Sequence, residues 1–361
     1  MLQLGASAAW DSNIFRLSDA QAERIGTAYV GLRLDKSYRQ QRWFLDVTET
    51  AYRYAKFSFL DFNAFNYRGG WAWHLGPRVS GVLSAERAQA LVNYGLFRDT
   101  SVRNVRTAER YLATGEAEMA TRWHLLGGLV GERVKYSFAF PQQPSYRAAG
   151  GEAGLKYLTR VDRYVSFKVI GLDTDYTDRA LDPVALLDDG FRRREAQLAA
   201  NWRLTAKTAL EARVSRLAYR YPHFGERDFS GNTGMLAFRW GASAKLSFEL
   251  GLARDMAPWI DNFTSYRVEE RASAGAAWEL AARTTLRASV GHMSADYRNP
   301  IVPLAGPARH DTGEVAELRA EWRALRNLVI NAGWQRYRQD STDAGSRFAG
   351  RIVTLGGSLL L

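Results

Sequence analysis

The chain has 361 residues, 46% hydrophobic and 12% aromatic, with 49 Lys plus Arg against 38 Asp plus Glu, a formal charge of +11 and a pI near 9.8. Disorder is excluded by the apolar content. A helical membrane protein is excluded because no run approaches the roughly 18–20 apolar residues of a spanning helix. The absence of Cys excludes a disulfide scaffold, a thiolate metal site and a Cys nucleophile.

From the start, strand-like sequence follows Met1 at once (LQLGASAAW), with no visible signal peptide, so the chain reads as a mature domain. Ala28, Val30, Leu32 and Leu34 then oppose Tyr29, Gly31, Arg33 and Asp35. In 42–54, Trp43, Leu45 and Val47 read outward, which turns Glu49 to the same side. Either a bulge lies near 48–50 or the strand has left the membrane there. Further on, Ala196, Leu198, Ala200 and Trp202 alternate with Arg193, Glu195, Gln197, Asn201 and Arg203. Leu246, Phe248, Leu250 and Leu252 alternate with Ser247, Glu249, Gly251 and Ala253. Ala272, Ala274, Ala276 and Trp278 alternate with Ser273, Gly275, Ala277 and Glu279. Ala316, Leu318, Ala320 and Trp322 alternate with Glu317, Arg319, Glu321 and Arg323. This is the period of strands. No stretch sustains a helical period.

A soluble sandwich also alternates, but its apolar face carries large residues throughout. Here that face is light in the middle and ends in an aromatic. Trp73, Tyr157, Trp202, Trp240, Trp278 and Trp322 each precede a short turn. Trp202 to Trp240 is 38 residues and Trp240 to Trp278 is 38 again, the length of one hairpin with its loop. Indole and phenol rings in register at one level mark a membrane–water interface. Short connections fall near 36–38, 76–78, 120–122, 160–163, 205–207, 242–245, 281–284 and 325–327. Longer ones fall near 11–25, 57–60, 91–103, 138–145, 177–190, 222–229, 255–264, 298–311 and 339–346.

The sequence therefore predicts one domain over 1–361. It is an all-β, transmembrane antiparallel up-and-down barrel of about eighteen strands (sixteen if the pair around 104–137 is loop), with short periplasmic turns and long extracellular loops. Its place is the outer membrane of a Gram-negative-type bacterium, in contact with membrane lipid and lipopolysaccharide.

The Arg content, 42 against 7 Lys, is spread along the chain among acids. That spread argues against a nucleic-acid partner, which would draw the charge onto one face or arm. Alternation points Arg33, Lys156, Arg193, Arg203, Arg213, Arg239, Arg271, Arg287, Arg319 and Arg323 inward. With them go Asp35, Glu152, Glu195, Glu211, Glu249, Glu317 and Glu321. These are the ligand-facing candidates. They either pin register through cross-strand pairs or line a passage whose Arg excess favours an anionic polymer.

Chemistry is otherwise sparse. His74, His124, His223, His292 and His310 form no metal-ligand pair. GGLVG (127–131) is a light strand rather than a phosphate cradle. His292 and Ser294 share a strand face with Asp296, the arrangement of some outer-membrane lipid esterases, but they read as a strand end. The acidic run Asp182–Asp189 is a solvated turn or a divalent-cation loop. No catalytic residue, metal or cofactor is assigned.

Several segments carry a family resemblance: DSNIFRLSD (11–19), TAYVGLRLDKSYRQQRWFLDVTETAYRY (27–54), SFLDFNAFNYRGGWAWHL (58–75), DPVALLDDGFRRRE (182–195), HFGERDFSG (223–231), RDMAPW (254–259), TSYRV (264–268), IVPLAGPARHDT (301–312) and ALRNL (324–328). In this order they resemble the EpsL-type outer-membrane proteins of exosortase-linked exopolysaccharide gene clusters. The likeness covers nearly the whole chain, with 138–175 and 286–297 departing from it. It implies a role in synthesis or export of an extracellular polysaccharide across the outer membrane, with passage through the barrel as the leading reading. A plugged barrel that docks periplasmic export proteins is the alternative, and a lipid esterase the third reading. The resemblance supplies no catalytic or ligand motif.

Overall fold

The computed structural model describes every residue except 161, 162, 262 and 303–306. The predicted turn at 160–163 and the predicted loop at 298–311 therefore fall partly outside the described residues. Eighteen antiparallel strands form one sheet, each paired to its sequence neighbour, and β1 (Leu2–Asp11) closes on β18 (Phe348–Leu360). Closure gives each strand two partners, which is what allows a sheet to cross lipid. β6 (Val105–Ala120) and β7 (Trp123–Tyr136) are a full pair, so the sixteen-strand alternative is ruled out.

The short connections lie where alternation breaks, with one shift. The first hairpin turns at Arg39–Gln40, between β2 (Glu23–Tyr38) and β3 (Gln41–Tyr54), not at 36–38. β13 (Leu246–Pro258) runs into the predicted loop at 255–264. Gly76, at φ +67 in the turn after β4 (Phe62–Leu75), adopts the left-handed backbone that favours glycine. Both termini lie at the short-turn end, where Leu2 and Leu361 exchange backbone hydrogen bonds.

Register fixes the two faces. Trp43 pairs with Trp71, Leu45 with Leu34 and Val47 with Leu32, all on the outward side. The register of β2 with β3 is unbroken, so no bulge turns Glu49 inward. Glu49 instead sits where the outer wall passes from apolar to charged, with Val47 before it and Arg53 after it on the same face. Its register partners at that height, Val30 and Phe65, are still apolar and exposed on the outer wall.

Two neighbour pairs are incomplete, and in the first β4 and β5 (Val79–Leu91) pair only up to Tyr67 and Arg87. In the second, β12 (Phe229–Gly241) and β13 pair only up to Gly234 and Arg254. Beyond that point β12 stays on β11 (Thr208–Arg220), and β13 stays on β14 (Tyr266–Ala281). The loop end of the β13–β14 hairpin bends into the barrel. Its outward side then meets the inner side of β12: Phe229 stacks on Tyr266 at 4.4 Å, and Met256 covers Gly231.

Candidate functional site

Near the short turns the barrel carries its aromatic girdle. Trp240, Trp278 and Trp322 stand about half exposed on the outer wall. Trp73, Trp202 and Tyr157 occupy the same outward side near their turns. Trp43, Trp71 and Trp123 join this ring although the hairpin period does not single them out. Trp43 stacks on Trp71 at 6.3 Å and Trp123 packs on Tyr157 at 4.8 Å.

Arg33, Arg193, Arg203, Arg239, Arg271, Arg319, Arg323, Glu195, Glu317 and Glu321 all occupy lumen-side register positions. Many are engaged with neighbours. Arg33 holds Asp46 through two nitrogens at 2.6 and 2.9 Å. Arg239 reaches Glu249 at 3.2 Å, Arg271 bonds Asp255 and Glu269, and Arg319 bonds Glu317. Glu321 lies 3.4 Å from Arg287 and 3.9 Å from Arg323.

The Arg excess, however, is not in the lumen. On the inward positions of the strands, acids match bases: Glu86, Glu116, Glu118, Glu132, Glu211 and Glu279 join the acids already named. The surplus lies outward, on the last turn of wall before the loops. Arg24, Arg53, Arg87, Arg133, Arg147, Arg194, Arg216, Arg254, Arg336 and Arg351 stand there, on ten different strands. Alternation gives Arg to both faces, and only the inward half enters the reading of a basic passage.

The other end is closed by its own loops. Buried Ile14 and Phe15 (loop 12–22), Leu60 (loop 55–61), Tyr94 and Phe97 (loop 92–104), Phe140 (loop 137–145) and Trp259 form one apolar cluster with wall residues Tyr54, Val134, Tyr136 and Tyr297. Phe15 meets Tyr94 at 5.1 Å, and Phe97 meets Phe140 at 5.3 Å. Phe140 then meets Trp259 at 6.0 Å, and Trp259 meets Tyr297 at 5.6 Å. The Phe140–Trp259 contact joins loops that are six strands apart in the eighteen-strand ring. Burial in this core pushes the Tyr94 hydroxyl pKa up to about 12.

Polar anchors hold the loops down. Asp11, 2% exposed, accepts from the Asn13 N–H, from Arg16 and from Tyr337. Glu23 accepts the N–H groups of Lys56 and Phe57. Arg227 is fully buried. It donates to the carbonyls of Leu186, Asp261, Thr264 and Ala185, tying three loops together.

Below this cover, a cavity of about 280 Å³ lies against the wall. Arg106, Glu132, Tyr146 and Arg193 line it from the strands, and Gln142 and Pro258 from the inward-folded segments. The Arg193 Nε is buried with no hydrogen-bond partner among the described residues.

The catalytic and metal readings do not assemble. The Asp296 carboxylate is taken by His310 at 2.7 Å and Arg298 at 2.7 Å, not by His292. No hydrogen bond joins His292 to Ser294 among the described residues. Ligand atoms of Asp188, Asp189 and His223 lie within 4.8 Å of one another. Yet Asp188 is already occupied by the His223 ring at 2.9 Å and by the N–H groups of His223 and Phe224. Asp182 instead accepts the N–H groups of Val184 and Ala185.

A closed eighteen-strand barrel with an apolar outer belt, an aromatic girdle and a polar lumen defines an outer-membrane β-barrel of the porin type. Its place is the outer membrane of a Gram-negative-type bacterium. Solved structures share the fold. Pseudomonas aeruginosa OccK2 (OpdF), in complex with glucuronate, superposes with a TM-score of 0.55 at 13% identity, covering 100% of this chain and 98% of that one. P. aeruginosa OpdK with vanillate gives 0.53 at 13%, covering 99% and 98%. Acinetobacter baumannii OccAB3 gives 0.51 at 11%, covering 99% and 97%. No family model and no curated protein matches the chain.

Proposed function

We propose that this protein is a channel that passes small acidic saccharides, of the uronate class, across the outer membrane under the control of its own loops. The observation that carries the proposal is the cavity under the loop core. Two guanidiniums, Arg106 and Arg193, face a single carboxylate there, Glu132, among tyrosine rings. Planar donor forks suit carboxylates, and an unpaired buried N–H is a place for a ligand oxygen. Glucuronate in the complex of the similar OccK2 barrel is a solute of this class.

Planar-bilayer recording tests the reading. The wild-type barrel gives brief, small openings that glucuronate blocks. Arg193→Ala weakens that block about tenfold, the scale expected when one charge-assisted hydrogen bond is removed, whereas Arg323→Ala leaves it unchanged. Trp259→Ala loosens the loop core and lengthens the openings. Equal block in Arg193→Ala would refute the site.

Export of an extracellular polysaccharide, which the EpsL-type resemblance implies, is the second reading. It needs the Phe140–Trp259 contact to part so that a polymer can thread. Block by long acidic oligosaccharides but not by glucuronate would favour it. A barrel silent in every variant, Trp259→Ala included, would favour the docking scaffold for periplasmic export proteins.

A further inference from the structure

We propose that the outer wall between β5 (Val79–Leu91), β6 and β7 holds the phosphate of an outer-leaflet glycolipid. A pocket of about 490 Å³ lies there, lined by Arg87, Gln89, Thr107, Glu109, Arg133 and Lys135. All six belong to the face that carries Leu83, Ala113 and Leu129 lower down, so the pocket opens toward lipid and not toward the lumen. It lies at the loop end of these strands, the level of the outer-leaflet headgroups.

Three cations surround one carboxylate. Glu109 sits 3.9 Å from Arg87 and 3.8 Å from Arg133, loose pairs that leave guanidinium N–H groups free to turn to a ligand. Lys135 has no ion pair or hydrogen bond from its ammonium among the described residues. Excess basic charge at a membrane surface recruits anionic headgroups, and planar guanidinium forks fit phosphate oxygens.

The wall below the pocket distinguishes a lipid from a free anion. Ala113, Gly115 and Gly127 face outward lower down, where a Cβ added at Gly127 would meet nothing within 4 Å, and Tyr111, 46% exposed, stands over Gly131 between them and the pocket. Leu129 projects beside them, 68% exposed. This is a shallow apolar furrow that leads past the Tyr111 ring to a cationic pocket. Its occupant has a phosphorylated head and acyl tails.

Native mass spectrometry of the intact detergent-solubilised barrel tests this, with bisphosphorylated lipid A, its dephosphorylated form and inorganic phosphate as probes. Wild type retains lipid A. The double variant Arg133→Glu/Lys135→Glu binds it about tenfold more weakly or worse, because each basic group contributes a comparable share of surface attraction. Dephosphorylated lipid binds wild type as weakly as the variant binds lipid A, and millimolar phosphate does not displace bound lipid A. Arg216→Glu, on the outer wall of β11, leaves binding unchanged. Heat-modifiable gel migration confirms that each variant is folded, and Lys135→Gln, with a several-fold loss, serves if the double variant does not fold. Wild-type affinity in the variants, equal binding of the dephosphorylated lipid, or displacement by phosphate would each overturn the assignment.

Discussion

The two ends of this barrel have different interiors. Toward the short turns the lumen wall is wet. Its ion pairs are exposed, as in Arg33–Asp46, where the side chains retain 53% and 38% of their accessible surface. Toward the loops the same strands enclose a dry core in which Leu60 and Arg227 are fully buried and Asp11 and Asp311 are 2% exposed. The strands do not change in kind between the two ends; what changes is what fills the cylinder. An eighteen-strand ring is too wide for its own side chains to fill. The loops bring in Phe15, Phe97, Phe140 and Trp259, and acids at the strand ends hold those loops in place. Polar contacts thus carry little energy at one end, where water competes. They carry much at the other, where a missing partner leaves a buried group stranded.

The largest expected effect is at Arg227. Arg227→Ala leaves four loop carbonyls without their donor, at a cost of roughly 3 kcal/mol. The damage should be local. Limited proteolysis should cut within 177–189 and 221–228 much faster than in wild type, while the barrel keeps its heat-modifiable migration. Arg227→Lys should rescue only partly, because an ammonium cannot reproduce the planar fork that spans these carbonyls. Cleavage at the wild-type rate would show that the mouth does not depend on this anchor.

A smaller effect follows from pH. Burial acts to raise the pKa of Asp188, but hydrogen bonds from the His223 ring and from the N–H groups of His223 and Phe224 outweigh it and hold the carboxyl below its ordinary 3.8. The same carboxylate, by hydrogen bonding, holds His223 above its ordinary 6.5. Protonated His223 therefore contributes fully below 6.5 and is lost as pH rises through its raised value. Ionised Asp188 contributes above 3.8 and is lost as pH falls through its lowered value. Hydrogen exchange in 177–189 and 221–228 should be slowest between these limits. His223→Gln should abolish the alkaline rise and leave the acid one. An alkaline limb that persists in His223→Gln would place the titrating group elsewhere.

Much of the wet end was legible in the sequence. Alternation ending in Trp located hairpins such as Trp202–Trp240, because lipid outside and water inside impose opposite chemistry on adjacent residues. Trp43 and Trp123 escaped because they follow their short turns instead of preceding them, and Trp71 because Trp73 stands nearer the same turn. The dry end was less legible. Phe140 in FAFPQQ and Trp259 in APWIDN lie in loops, where no period says which way a side chain points; the one signal was loops rich in aromatics. Arg227 stood inside HFGERDFSG, one of the segments that carry the family resemblance, and Asp11, Asn13 and Arg16 stood inside DSNIFRLSD. Their shared role, pinning loops into the mouth, depends on contacts between distant loops that no linear pattern contains. The lumen balance was missed for a different reason. Arg recurs on both faces, and its outward half becomes visible only once register places Arg87, Arg133 and Arg254 on the outer wall.

The smallest effect sharpens the contrast most. Arg239 and Glu249 face each other across β12 and β13 at 3.2 Å, with 62% and 57% of their side-chain surface accessible. If the wet end is held by its backbone ladder, then removing this pair costs no more than about 0.2–1 kcal/mol. Arg239→Ala should thus leave the thermal midpoint of the barrel nearly unchanged, in contrast to the local failure at Arg227. Charge nonetheless acts at a distance in a water-filled tube, where nearby low-dielectric walls focus the field. Arg239→Glu should therefore shift the reversal potential in a salt gradient toward cation preference, and the swapped pair Arg239→Glu/Glu249→Arg should return it close to wild type. A large drop in thermal midpoint with no change in reversal potential would invert the assignment. The pair would then be a structural clasp near the short turn between β12 and β13, and the wet end would owe its register to side chains after all.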